Sequence, residues 1–459
     1  MVPWTTCGGT ERERADRNAV PLRGGRVSRR EILGVASGAA AAWLARADTA
    51  LAQSVFAPPS GPRSGRALIV VFLRGGADGL NMIVPYGDDG YHALRPTLRL
   101  AAPGDRGAGA ADRALDLDGF FGLHPALALL RPLYARGQMA AVHACGSGDQ
   151  SRSHFEAMRT MERGLAADPA GAASGWMARY LAASPPVHPS PLRAVALTSV
   201  MPDSLRGAPQ ATALSSIADY RLEHPAGGSA ALVRSALSSL YGTGSDAVRE
   251  AGRETLAVLN TVGRAAAAAG PETGAYPDSD LGRALRQVAT LRRAEVGLET
   301  AFIDRGGWDT HVAQGSAGGW MAAALADLAG SLAAFTRDIG SLLERTTVIV
   351  MTEFGRRAAE NSALGTDHGR ASAMLVIGGG VRGGRVLARW PGLAEGALEP
   401  PGDLRVTTDY RSVLAAALAE LAPGAEVASV FPGLVDPRPD LWRRPDSAKR
   451  AQIVDKSAP

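Results

Sequence analysis

Six acidic and imidazole side chains stand where apolar runs end or begin. The run Ala67–Leu73 (ALIVVFL) feeds directly into Arg74-Gly75-Gly76-Ala77-Asp78-Gly79. Residues 296–304 lead into Gly306-Gly307-Trp308-Asp309-Thr310-His311. Thr346–Thr352 ends in Glu353, and Asp367-His368-Gly369 precedes the apolar stretch 373–377. Short runs of this kind read as strands buried on both faces, and open α/β sheets bind ligands outside the carboxyl ends of their strands. Asp78, Asp309, His311, Glu353, Asp367 and His368 are therefore candidate metal ligands. Carboxylates gathered on one sheet edge repel one another unless a cation neutralises them. Mixed oxygen and nitrogen donors suit Zn²⁺, Mn²⁺ or Mg²⁺, and the lack of cysteine ligands argues against a closed structural zinc site. The alternative is local: Glu353 caps a helix or pairs with Arg356 or Arg357, Asp367 turns the chain, and the acids never meet.

A second group follows residues 139–145 (MAAVHAC), a further short strand. In the stretch GSGDQSRSHFEAM, Ser153 and Glu156 form an S-x-x-E capping box ahead of an apolar-periodic run. That makes Ser153 the expected helix cap and leaves the Ser151 hydroxyl as the candidate nucleophile. Arg152 lies just ahead of the same helix, where N–H groups and the dipole favour an anion. His154, in the first turn, is a candidate to line the site or a packing histidine.

Positioning these groups takes a sizeable sheet, and the chain has the length for it. It has 459 residues, 46% hydrophobic and 20% charged, enough for one large α/β core or two domains. Residues 67–435 read as that α/β domain, with an Ala/Leu/Arg-rich helical insertion at about 205–295. Met321, Leu325, Leu328, Leu332, Phe335, Ile339 and Leu343 recur at helical spacing and predict a core helix over 318–344. Residues 411–421 read as a final helix, 91–96 as an irregular surface segment, and 436–459 as a flexible tail.

The N-terminus reads differently. Ser28-Arg29-Arg30-Glu31-Ile32-Leu33 precedes a weakly apolar run, and small residues end at Ala50-Leu51-Ala52. This pattern is that of a twin-arginine signal, 1–52, with cleavage expected after Ala52 and a Pro/Ser/Gly linker at 53–66. It predicts the twin-arginine export machinery as a partner and a periplasmic or extracellular destination. The leader holds eight of the arginines and five acids, so the remainder carries 41 basic against 40 acidic residues. That balance gives no argument for nucleic-acid binding, and no run beyond the leader is long enough to span a bilayer. Cys7 falls in the leader and Cys145 stands alone, so no disulfide framework is expected.

With the twin-arginine leader, the motifs LRGGADGLNMIVPYGDDGY, SRSHFEAM, GGWDTH, TEFGR and DHG resemble, in order, those of the DUF1501 family, which is related to the alkaline phosphatase/sulfatase superfamily. The resemblance implies an alkaline-phosphatase-like, mainly parallel central sheet flanked by helices. It implies Asp78 at the first-strand metal position, Asp309 and His311 at a middle metal site, Glu353 at a strand end and His368 as a late histidine ligand. Phe354 departs from the superfamily pattern, which has a histidine there, and no sulfatase-type Cys-x-Pro-x-Arg stretch is present. Two functions follow as expectations. One is a metal-dependent hydrolase of phosphate or sulfate esters, with Ser151 or water attacking and Arg152 holding the anionic substrate. The other is a non-catalytic exported binding or assembly protein on the same fold.

Overall fold

The computed structural model describes residues 65–167, 172–186, 190–208, 211–217, 230–244, 246–268, 274–435 and 437–443. The expected leader, the linker up to residue 64 and the end of the tail lie outside these residues.

Among the described residues nine strands form the main sheet: β1 (Ala67–Leu73), β2 (Met139–Gly146), β3 (Ala194–Leu197), β4 (Ala211–Ala213), β5 (Thr300–Arg305), β6 (Thr346–Thr352), β7 (Ser372–Gly378), β8 (Arg385–Leu387) and β9 (Thr408–Asp409). Their order is β8-β2-β7-β6-β1-β5-β3-β4, with β9 also paired to β2. β1 lies parallel between β5 and β6. Only β7 runs against its neighbours, antiparallel to both β6 and β2. One reversed strand has a large consequence. The residues that precede β7 arrive at the same sheet edge as the residues that follow the parallel strands.

Both sheet faces are covered, which is why the strands read as continuous apolar runs. Ile69, Val71 and Leu73 of β1 pack with Leu281 and Leu285 of the helix Asp280–Arg293 and with Leu325, Leu328 and Leu332 of the helix Trp320–Ile339. Leu68, Val70 and Phe72 face the other way, onto Met161, Trp176, Met177, Leu414 and Leu418. Alternation along a strand thus splits one buried run between two cores. We number the helices α1 (His154–Arg163), α2 (Trp176–Ala183), α3 (Ala230–Tyr241), α4 (Ala247–Ala268), α5 (Asp280–Arg293), α6 (Trp320–Ile339) and α7 (Tyr410–Leu421). α6 is shorter than its apolar stripe: it stops at Gly340, which takes φ +52°, and a 3₁₀ turn carries Leu343 into the core.

Two surface readings change. Residues 91–96, expected to be irregular and exposed, begin in a short helix, Asp89–Leu94, capped by the Asp88 side chain. Tyr91 is fully buried there, its hydroxyl donating to Asn81 Oδ1 at 2.9 Å and accepting from Leu100 N at 3.0 Å. The segment 437–443, within the tail read as flexible, is held to the body by Arg382 N donating to Leu441 O and Arg443 N to Gly380 O. No helix among the described residues is long and apolar enough to cross a membrane.

Candidate metal centre

Four chain segments meet at the carboxyl edge of the sheet: the loops after β1, β5 and β6, and the start of α1. The loop before β7 joins them because that strand is reversed. Gly75, at φ +120°, lets the first two loops touch; a Cβ there would stand 2.6 Å from Asp309 N. Glu353 ends β6 and turns inward, almost wholly buried. Its Oε1 accepts from Gly75 N at 2.8 Å and from His154 Nδ1 at 2.7 Å.

Three histidines and one aspartate converge in front of this frame. His154, Asp309 and His368 place one donor atom each within 4.8 Å of one another. His311 Nε2 lies 2.9 Å from His368 Nε2 and 3.1 Å from Asp309 Oδ1. His368 Nε2 is 3.2 Å from the same oxygen, and His154 Nε2 is 3.4 Å from Asp309 Oδ2. The outer partners fix the tautomers. His154 Nδ1 faces the Glu353 carboxylate, His311 Nδ1 faces Asp367 Oδ1 at 3.4 Å, and His368 Nδ1 faces the Arg152 carbonyl at 2.9 Å. Carbonyls and ionised carboxylates only accept, so each Nδ1 carries a proton, and in the neutral form of the ring the Nε2 lone pair faces inward. His154 Nε2 is buried there with no hydrogen-bond partner.

Lone pairs facing one another and a carboxylate repel unless a positive charge sits among them. Metal–nitrogen distances of about 2.0–2.1 Å put tetrahedral ligands roughly 3.3 Å apart, close to the separations found here. Imidazoles backed by carboxylates or carbonyls are the usual outer arrangement of a metal site. The donor set therefore fits one divalent ion held by His154, Asp309 and His368, with His311 Nε2 beside the last two.

The surroundings tune these groups in different directions. Burial pushes Asp309 up, but the Arg356 guanidinium at 2.7 Å, with help from His368 and His311, outweighs it and holds the carboxyl at about 2. The hydrogen bond to Glu353 raises His154 above its ordinary value despite partial burial. Burial lowers His368, against the opposing pull of the Arg152 carbonyl. Asp367 is held below the usual range by Asn361, which donates to it at 3.0 Å, with His311 and Arg357 adding to the effect. Phe354, the departure noted in the sequence, fills the gap between imidazoles, its ring 4.9 Å from His154 and 4.8 Å from His368.

Other sequence-derived candidates take different places. Asp78 lies outside the cluster, in a fully buried ion pair with Arg95 at 2.5 and 3.0 Å, and accepts from Gln314 Nε2 at 2.7 Å. Glu353 and Asp367 stand behind His154 and His311 and orient them. The Ser151 hydroxyl is engaged: it lies 2.9 Å from Asp149 Oδ2 and accepts from Ser153 N at 3.1 Å. Ser153 occupies the cap position of α1, but its own side chain makes no cap bond. Ser151, two residues earlier, takes the Ser153 N–H that Glu156 would receive in a capping box. The Arg152 guanidinium is spent on Asp403, with Nε donating at 2.9 Å. Sequence reasoning missed Arg95, Gln314, Arg356 and Asn361 as organisers. Only Arg356, three residues after Glu353, carried a local hint.

A mainly parallel α/β sheet with an imidazole–carboxylate cluster on its carboxyl edge is the class of protein that fold and site define. Residues 65–411 match the family described as a protein of unknown function (DUF1501), and the chain belongs to that family. No curated protein and no solved structure matches it.

Proposed function

We propose that this chain is an exported, metal-dependent hydrolase of phosphate or sulfate esters on an alkaline-phosphatase-like fold. The observation that carries the reading is the convergence of three Nε2 atoms and Asp309, each imidazole fixed from behind. His154, Asp309 and His368 would hold the ion, with His311 at its side, and this nitrogen-rich set favours Zn²⁺ or Mn²⁺ over Mg²⁺. Such an ion, when bound, supplies Lewis-acid polarisation of the ester and lowers the pKa of a bound water.

The chain's own residues supply the rest. Glu353 and Asp367 keep two rings in the lone-pair-inward tautomer, and Arg356 keeps Asp309 ionised. Phe354 walls the cluster with an apolar ring. Arg357, whose Nε is buried without a hydrogen-bond partner, lies within electrostatic reach of Asp367. Although it also acts on Asp403, it would be the cation offered to the anionic ester in place of Arg152. With Ser151 engaged by Asp149, water is the nucleophile: its oxygen bonds to phosphorus or sulfur, and the ester oxygen leaves with a proton from that water.

The twin-arginine reading of the leader supports export after folding, with the cofactor already in place. Arg29→Lys with Arg30→Lys should then strand the precursor in the cytoplasm, because recognition depends on guanidinium groups and not on charge alone.

The test begins with metal content. Protein purified without chelator should hold about one equivalent of Zn²⁺ or Mn²⁺, while His154→Ala and Asp309→Ala hold well below that, and the loaded wild type should turn over at least one ester in a broad panel. A wild type that neither carries metal nor binds it on titration overturns the reading. Metal binding without turnover moves the alternative ahead, a non-catalytic exported binding or assembly protein, which the engaged Ser151 hydroxyl would also suit.

A further inference from the structure

The segments that carry the imidazoles also carry apolar side chains left exposed among the described residues. Phe155 directly follows His154 and is 77% exposed; Val312 directly follows His311 and is 69% exposed. Leu364, four residues before His368, is 53% exposed. Val312 and Leu364 belong to two loops zipped side by side, Ala313 N donating to Ala363 O and Gln314 N to Leu364 O, both at 2.9 Å. Leu364 and Ala313 hold φ +57° and +46°, left-handed conformations that cost a non-glycine residue energy and persist where surrounding contacts impose them. Trp320, 65% exposed, is tied by Nε1 to Gly307 O on the loop that leads to Asp309.

Single exposed apolar residues are ordinary on a protein surface. These four are different in placement, since two adjoin ligands of the centre and the other two sit on or against the loops that supply the remaining ligands. We infer that they form the binding rim for an apolar group attached to the substrate's anionic head, so that the substrate is an alkyl or aryl ester. This rests on the ester-hydrolase reading and names its substrate class. A head held at Arg357 and the imidazoles would have these exposed side chains as near neighbours in the chain, Phe155 next to His154 and Val312 next to His311. A sugar or nucleoside there would exchange water for aliphatic and aromatic carbon and leave its hydroxyls unpaired. An alkyl or aryl group would bury apolar area on both sides of the contact.

The probes are methylphosphonate and hexylphosphonate, non-hydrolysable heads with and without an apolar tail, titrated calorimetrically into the metal-loaded full chain. Hexylphosphonate should bind roughly tenfold tighter or more, from partial burial of five added methylenes. Phe155→Ser with Val312→Ser should remove most of that preference while metal content and melting temperature stay at wild-type values. Equal affinity for the two probes in the wild type overturns the inference and leaves the hydrolase reading standing. Failure of both probes to bind removes the anionic-ester reading, and the inference falls with it. Sedimentation of the same proteins supplies the last arm: a dimer that the double variant dissociates, with the tail preference unchanged, makes the rim a contact between copies and overturns the assignment to substrate.

Discussion

Replacing Asp78 by Asn removes one charge of a pair whose two side chains are both fully buried. The native carboxylate receives Arg95 Nη1 at 2.5 Å, Arg95 Nη2 at 3.0 Å and Gln314 Nε2 at 2.7 Å. An amide keeps one acceptor oxygen and turns the other toward these donors as NH₂, so at least one donor–donor contact results. Arg95 would retain only neutral acceptors: Asn81 Oδ1, Ala358 O and Arg357 O, each at 2.9 Å. Breaking a buried pair from one side costs about 3–5 kcal/mol, a large share of the stability of an ordinary domain. Urea unfolding of metal-free Asp78→Asn should show that loss, and the double variant Asp78→Asn/Arg95→Met should lose less than the sum of its parts. Metal stoichiometry should stay at the wild-type value, whereas Asp309→Asn should lose metal with a smaller effect on the metal-free midpoint. An Asp78→Asn protein with an unchanged midpoint and no metal would refute this division and return Asp78 to the ligand set.

Ser153→Ala should change stability by less than about 0.5 kcal/mol and Ser151→Ala should cost roughly 1 kcal/mol, because Ser151 supplies the hydroxyl that receives an N–H at the start of α1; both should keep the ester turnover of the loaded wild type. Gly365→Ala would drive a Cβ to 2.3 Å from His311 C and O, parting the loops that hold His311 and His368, and should weaken metal binding roughly tenfold or more. Gly318→Ala, with nothing within 4 Å of its Cβ, is the control in the same titration. His124 and His143 are buried neutral, each pushed by burial from 6.5 to about 4, each ring donating through Nε2 and accepting through Nδ1. Their unfolded forms bind protons first, so stability is full above pH 6.5 and falls as pH drops toward 4, by about 3 kcal/mol per ring. His154, raised in the fold, opposes this with the other sign. Urea midpoints that stay flat from pH 6.5 to 4.5 would contradict the buried-neutral assignment.

Much of the scaffold could be read locally. A strand buried on both faces must be continuously apolar, so β1 and β6 announced themselves, and a carboxylate or imidazole placed after such a run lands on the ligand-binding edge. Asp309, His311 and His368 were legible for that reason. The core stripe of α6 was legible too, though not its end, because a glycine's backbone freedom at position 340 is invisible to an apolar count.

The roles within the site were not local. Whether Asp78 meets a metal or Arg95 depends on a buried guanidinium 17 residues away that the short helix Asp89–Leu94 carries inward. Whether His154 packs or turns Nε2 to the cluster depends on Glu353, 199 residues away, accepting a hydrogen bond from its Nδ1. Residue types and runs determined a mainly parallel α/β sheet and a set of groups able to bind an ion. The tertiary structure decided which of them come together, because one strand, β7, is reversed and delivers His368 to the edge where Asp309 and His154 already stand. A side chain's chemistry is set by its own atoms, but its task is set by partners that only the folded chain brings within 3 Å or so.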